Sequence, residues 1–97
     1  MVRRIVERFH PEKIILFGSH ARGTAGSDSD VDLLVVMRVE GSRREMTVSV
    51  RRALHDIRIP KDIIVVTPDE MAKYGDIVGH IIYPALREGK VLYDRAA

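Results

Sequence analysis

Ninety-seven residues, 45% of them hydrophobic, suffice for one compact domain spanning residues 1–97, and a chain this short leaves roughly a third or more of its unfolded surface exposed, which excludes a second core. No apolar run approaches the about 20 residues of a membrane helix, and the start Met-Val-Arg-Arg-Ile-Val-Glu-Arg is charged where a secretory leader is apolar, so a cytoplasmic protein is expected. The absence of cysteine excludes disulfides, thiolate metal sites and cysteine nucleophiles, while a net charge of +2 with 5% aromatic residues and no recognition motif argues against direct nucleic-acid binding.

Val2, Ile5, Val6 and Phe9 recur at i, i+3, i+4 and i+7 and predict a short amphipathic helix ending before Pro11. Ile14 to Phe17 is a continuous apolar run stopped by Gly18, the pattern of a buried strand. From Ser19 to Ser29, Gly23 and Gly26 stand among Ser, Thr and Asp, which reads as a turn that stays mostly loop. Val31 to Met37 is a second buried strand. After the break at Glu40-Gly41-Ser42, the residues Met46, Val50, Ala53, Leu54 and Ile57 keep helical spacing until Pro60. Ile63 to Val66 is a third strand, and Thr67-Pro68-Asp69-Glu70 carries a capping Thr, Pro at the first helical position and Glu three residues past the cap. Ile77, Val78, Ile81, Ile82, Ala85 and Leu86 mark a further helix, interrupted by Pro84, before an edge strand at Val91 to Tyr93. Strands alternating with helices predict an α/β domain.

The stretch from Phe17 to Val35 carries the chemistry, and three readings compete for it. As a P-loop, Gly18 and Gly23 are correctly spaced, but Thr24 and Ala25 stand where the phosphate-binding Lys and the metal-binding hydroxyl belong. As an EF-hand, Asp28, Asp30 and Asp32 fit positions 1, 3 and 5, but Leu33 replaces the obligatory glycine and Val39 the bidentate Glu. The third reading starts from strand alternation: Asp30 and Asp32, two apart, project to one face while Val31 and Leu33 point to the other. Two carboxylates confined together repel unless a cation lies between them, and magnesium held by carboxylates and substrate phosphates suits them. Gly18-Ser19 ends the preceding strand, where glycine permits close backbone approach and a following helical turn would offer N–H groups to an anion.

Gly-Ser, ten residues, then Asp-x-Asp opening a buried strand resembles the nucleotidyltransferase superfamily that contains DNA polymerase beta, kanamycin nucleotidyltransferase and poly(A) polymerases. The run Gly18-Ser19-His20-Ala21-Arg22-Gly23 followed by Ser29-Asp30-Val31-Asp32 is similar to the minimal nucleotidyltransferases of archaea and bacteria. The resemblance implies a mixed β-sheet flanked by helices, two magnesium ions, and transfer of a nucleoside monophosphate from a triphosphate such as ATP to a hydroxyl. It assigns Gly18 and Ser19 to phosphate binding, and Asp30 and Asp32 to the metals. The family's third carboxylate opens a later strand as apolar-acid-apolar; Asp62 fits it in part, with Lys61 in the preceding apolar place, and Asp62 could also serve as base. Arg22 is either a neutraliser of phosphate charge or an exposed loop residue, and Asp28 reads as a loop or capping residue.

The four histidines, His10, His20, His55 and His80, form no close pair, and only His20 lies near these positions. Arg44, Arg51 and Arg52 form a basic stripe on the long helix, either a solvated face or a docking surface for an acidic partner. Larger members of the superfamily append acceptor-binding domains for which 97 residues leave no room, so the acceptor is expected to come from outside. Minimal nucleotidyltransferases are often paired with a small helical HEPN-domain toxin, and the resemblance implies an antitoxin that adds AMP to a toxin tyrosine. The alternatives are a non-catalytic antitoxin acting by occlusion and an adenylyltransferase acting on a small molecule.

Overall fold

The computed structural model describes residues 1–26, 29–74 and 87–96. The expected helix over residues 77–86, His80 and Asp28 lie outside the described residues. Among the described residues, eight elements follow one another: α1 (Val2–Phe9), β1 (Lys13–Phe17), α2 (Ser19–Arg22), β2 (Val31–Val36), α3 (Arg43–Ala53), β3 (Lys61–Val66), α4 (Pro68–Tyr74) and β4 (Lys90–Asp94). Among the described residues the strands form one mixed sheet in the order β3-β2-β1-β4, with β2 and β3 parallel and both β2 and β4 antiparallel to β1. This is the mixed sheet with flanking helices that the resemblance implied, and the predicted edge strand is β4. No described helix is long and apolar enough to cross a membrane.

The alternation of side chains along the strands divides the core into two layers. Ile14, Leu33, Val35, Ile63 and Val65 face one side and pack against Ile5 of α1, Val50 of α3 and Leu54 just after it. Ile15, Phe17, Leu34, Val36 and Val66 face the other, where Met71 and Tyr74 of α4 lie against them. Both faces being covered explains why these strands read as unbroken apolar runs. At the starts of β2 and β3 the second face changes chemistry, because the positions that continue it are Asp32 and Asp62.

Two helices differ from the periodicity reading. The segment after Gly18 is a helical turn before it is a loop: Ala21 is buried against the sheet, and Gly23, in the left-handed region at φ 75°, closes the turn by donating its N–H to the Ser19 carbonyl. The long helix begins earlier, at Arg43, because the Ser42 hydroxyl caps it by accepting the Glu45 N–H at 3.3 Å. It ends at Ala53 because Leu54 drops into the core, and a tight turn in which the Ile57 N–H bonds the Leu54 carbonyl then redirects the chain. That turn delivers Pro60 to β2, where its carbonyl accepts the Val31 N–H at 2.8 Å and sets the start of the parallel pair.

The start of α4 conforms to the expected capping box. Glu70 accepts the Thr67 N–H at 3.0 Å, and Thr67 Oγ1 accepts the Glu70 N–H at 3.2 Å. Arg43, at the start of α3, adds an ion pair to Glu70 at 2.6 Å, which ties the two helix starts together.

Candidate active site at the ends of three strands

The last residue of β1 and the second residues of β2 and β3 meet at one end of the sheet. Phe17 pairs with Asp32 in the antiparallel ladder, and Asp32 is the register partner of Asp62 in the parallel one. Register partners on neighbouring strands point to the same face about 4.8 Å apart, so Asp32 and Asp62 share one small volume. Asp30 precedes β2, two residues from Asp32, and is exposed. Burial holds the Asp32 carboxyl above its ordinary value of 3.8, and the charges of Asp62 and Asp30 push it further the same way, against smaller opposing effects of His20 and Arg22.

Gly18 is fixed by both conformation and space. Its backbone, at φ 75° and ψ −156°, occupies a region that essentially only glycine adopts. A Cβ there would stand 2.3 Å from Asp32 Oδ2 and 3.2 Å from Asp32 Cγ. The absent side chain is thus what allows the carboxylate against the main chain at the start of α2. Ser19 follows at the first position of that turn. Its carbonyl accepts the N–H groups of Gly23 and Thr24, and no hydrogen bond among the described residues uses its hydroxyl.

The cations near these residues divide sharply by what they contact. Arg22 pairs with Glu88 at 3.3 Å, both about half exposed. Lys61, the departure from the apolar-acid-apolar pattern, sends its ammonium to the carbonyls of Ile57 at 2.7 Å and Ile59 at 3.3 Å, so its stem fills the apolar place while its charge leaves it. His20 Nε2 lies 3.1 Å from the Ser29 carbonyl, and Gly26 and Ser29 exchange two hydrogen bonds, which fastens the loop just before Asp30. Arg51 reaches from α3 to Asp62, with Nη2 3.3 Å from Oδ1. Of the basic stripe, then, Arg51 belongs to the carboxylate cluster. Helical periodicity could place it on an exposed face but could not show that this face ends beside β3. His20 as a tether was equally illegible, because its partner is a main-chain carbonyl.

Among the described residues no group of three or more His, Asp or Glu side chains is already gathered closely enough to hold a metal ion. The donor set is oxygen only and open on the Asp30 side, and it suits magnesium, which keeps several waters and takes ligands from substrate phosphates. A cavity of about 460 Å³ lies at the other end of β2 and β3, lined by Arg38, Val39, Glu40, Thr67, Pro68 and Asp69, and holds none of the three carboxylates.

Residues 1–84 match the profile of the nucleotidyltransferase domain family. No curated protein shows significant sequence similarity to the chain. Among solved structures, a Sulfolobus solfataricus protein assigned as a nucleotidyltransferase superposes with a TM-score of 0.60 at 23% identity, over 98% of this chain and 75% of that one. A toxin–antitoxin structure with AMP-PNP gives 0.60 at 19% identity, over 96% and 69% of the two chains. A mutant MntA–HpeT toxin–antitoxin structure gives 0.60 at 17% identity with the same coverage, 96% and 69%. Likeness at these identities is likeness of fold, and the family match carries the assignment: this chain belongs to the nucleotidyltransferase domain family.

Proposed function

We propose that this protein moves AMP from ATP to a tyrosine hydroxyl of a partner HEPN-domain toxin and so acts as its antitoxin. The observation that carries the reading is the approach of Gly18 to Asp32, with Asp62 in register beside it: a main-chain cradle and paired carboxylates at one end of the sheet. Similar solved structures include a toxin–antitoxin with AMP-PNP and a toxin–antitoxin mutant carrying two Asp-to-Glu changes two positions apart, the spacing of Asp30 and Asp32 here.

In this reading Gly18 and Ser19 hold the triphosphate, with Arg22 offsetting its charge. Asp30, Asp32 and Asp62 would hold two magnesium ions, which would supply Lewis-acid stabilisation of the phosphoryl oxygens and of the leaving group. The acceptor oxygen forms its bond to the α-phosphorus as the bond to the β-phosphate oxygen breaks. Pyrophosphate leaves, and Asp62 takes the hydroxyl proton. A phenol suits this chemistry because its reference pKa of about 10 lies far below that of an alcohol. The added AMP brings negative charge and bulk, which block a neighbouring active site by repulsion and sterics.

The test is to co-express the protein with the candidate toxin and weigh the toxin intact. A mass gain of one AMP on a toxin tyrosine, lost with Asp30→Ala, is the expected outcome. Tight binding with no mass change would replace transfer by occlusion, and label from ATP appearing on a small molecule would move the acceptor class.

A further inference from the structure

Three carboxylates at one end of the sheet need a compensating charge even when no metal is bound. His20 bonds a carbonyl, Arg22 pairs with Glu88, and Lys61 bonds two carbonyls. Among the described residues, Arg51 alone forms an ion pair with one of the three, through Nη2 and Asp62 Oδ1 at 3.3 Å. Its backbone is anchored, because Val50 before it and Leu54 after it are completely buried in the core. Its side chain reaches solvent, being 57% exposed against 49% for Asp62. A fixed base with a solvent-exposed charged tip suits a group that must leave one partner without disturbing the helix.

We infer that Arg51 is the resident counter-ion of the carboxylate cluster: its guanidinium occupies the side of Asp62 that a divalent ion needs, and so sets the ion concentration at which the site loads. The inference rests on the metal role proposed for Asp62. The physical reason is competition between cations for one carboxylate. A guanidinium beside Asp62 lowers the negative potential felt by an arriving divalent ion, and water at this half-exposed position screens the effect without abolishing it. As the metal-free protein loads, the Arg51–Asp62 pair opens and the guanidinium turns to solvent or to substrate phosphate.

The experiment is titration of the metal-free protein with Mn2+ alone, following the free ion by electron paramagnetic resonance. Arg51→Ala should bind Mn2+ about three- to tenfold more tightly than wild type, and Arg51→Lys, which keeps a cation, should stay close to wild type. Without metal, Arg51→Ala should melt below wild type because the carboxylates then repel uncompensated, and saturating Mn2+ should close that gap. Equal or weaker Mn2+ binding by Arg51→Ala would overturn the inference. Asp62→Asn separates the two levels. If it binds Mn2+ and transfers AMP like wild type, the assignment of Asp62 itself is wrong. If it loses both while Arg51→Ala binds as wild type does, only the role of Arg51 falls.

Discussion

Asp32 and Asp62 are register partners in the parallel β2–β3 pair, each the second residue of its strand. Their separation of thirty positions in sequence becomes one inter-strand spacing, and burial with the charge of Asp62 holds the Asp32 carboxyl above its ordinary value of 3.8. The folded state therefore binds more protons than the unfolded state as the pH climbs from that value through the raised one, and stability falls across that window. Asp32→Asn removes the burial and repulsion of the charge. It should be more stable than wild type at pH 7, with a higher denaturation midpoint, and the difference should vanish below pH 3.8. Transfer should be abolished. Thermal melts at pH 3.5 and 7, with an activity assay, check all three.

Gly18 and Gly23 offer a controlled comparison. Both have φ 75°, but a Cβ at Gly23 meets nothing within 4 Å, whereas one at Gly18 meets Asp32 Oδ2. Gly23→Ala should cost about 1 kcal/mol of stability through its left-handed backbone and leave transfer nearly intact. Gly18→Ala should cost about 2–3 kcal/mol and lower activity far more, because the Asp32 carboxylate must rotate away. Equal activity losses in the two variants would refute the role given to the close approach.

The Ser19 hydroxyl, unused by the hydrogen bonds among the described residues, is proposed to contact the terminal phosphates. Ser19→Ala should therefore weaken ATP by about ten- to a hundredfold, the worth of one hydrogen bond to a charged group, while AMP is little changed. Calorimetric titration with both nucleotides decides it, and an equal loss for the two would place the triphosphate elsewhere.

The capping box at α4 sets a further pH dependence. Burial pushes Glu70 up, but the Thr67 N–H, the charge and hydrogen bond of Arg43 and the Thr67 hydroxyl together hold it below its ordinary 4.5. A lowered acid stabilises the fold above that value and loses the contribution as the pH falls through its folded one. Glu70→Gln should destabilise by about 1–2 kcal/mol at pH 7 and by much less at pH 3. Denaturant melts at the two pH values measure the difference.

Local geometry was legible wherever covalent periodicity carries it. Strand alternation along Val31–Val36 puts Asp32 on the face opposite Leu33, with Asp30 just before the strand, and the spacing of Thr67 and Glu70 is a helix cap in any context where that helix forms. The start of α3 was less legible: Ser42 and Glu45 have the cap spacing, yet the breaking signal at Gly41 masked how early the helix begins. The turn at Ser19 was legible as a turn, and burial of Ala21 is what makes it helical through Arg22.

By itself, then, the order of residues determined the apolar strands, the Asp-x-Asp spacing and the glycine before the helical turn of α2, because each depends on spacing within a few bonds. The tertiary structure alone decided that Asp32 meets Asp62, that its Oδ2 fills the space a Cβ on Gly18 would take, and that Arg51 ends beside Asp62. Those relations rest on strand register and helix placement. Register follows from packing Leu33, Val35, Ile63 and Val65 against α1 and α3 as one layer, since a one-residue slip would exchange every buried side chain with the opposite face. No local pattern carries that information, because it belongs to the core as a whole.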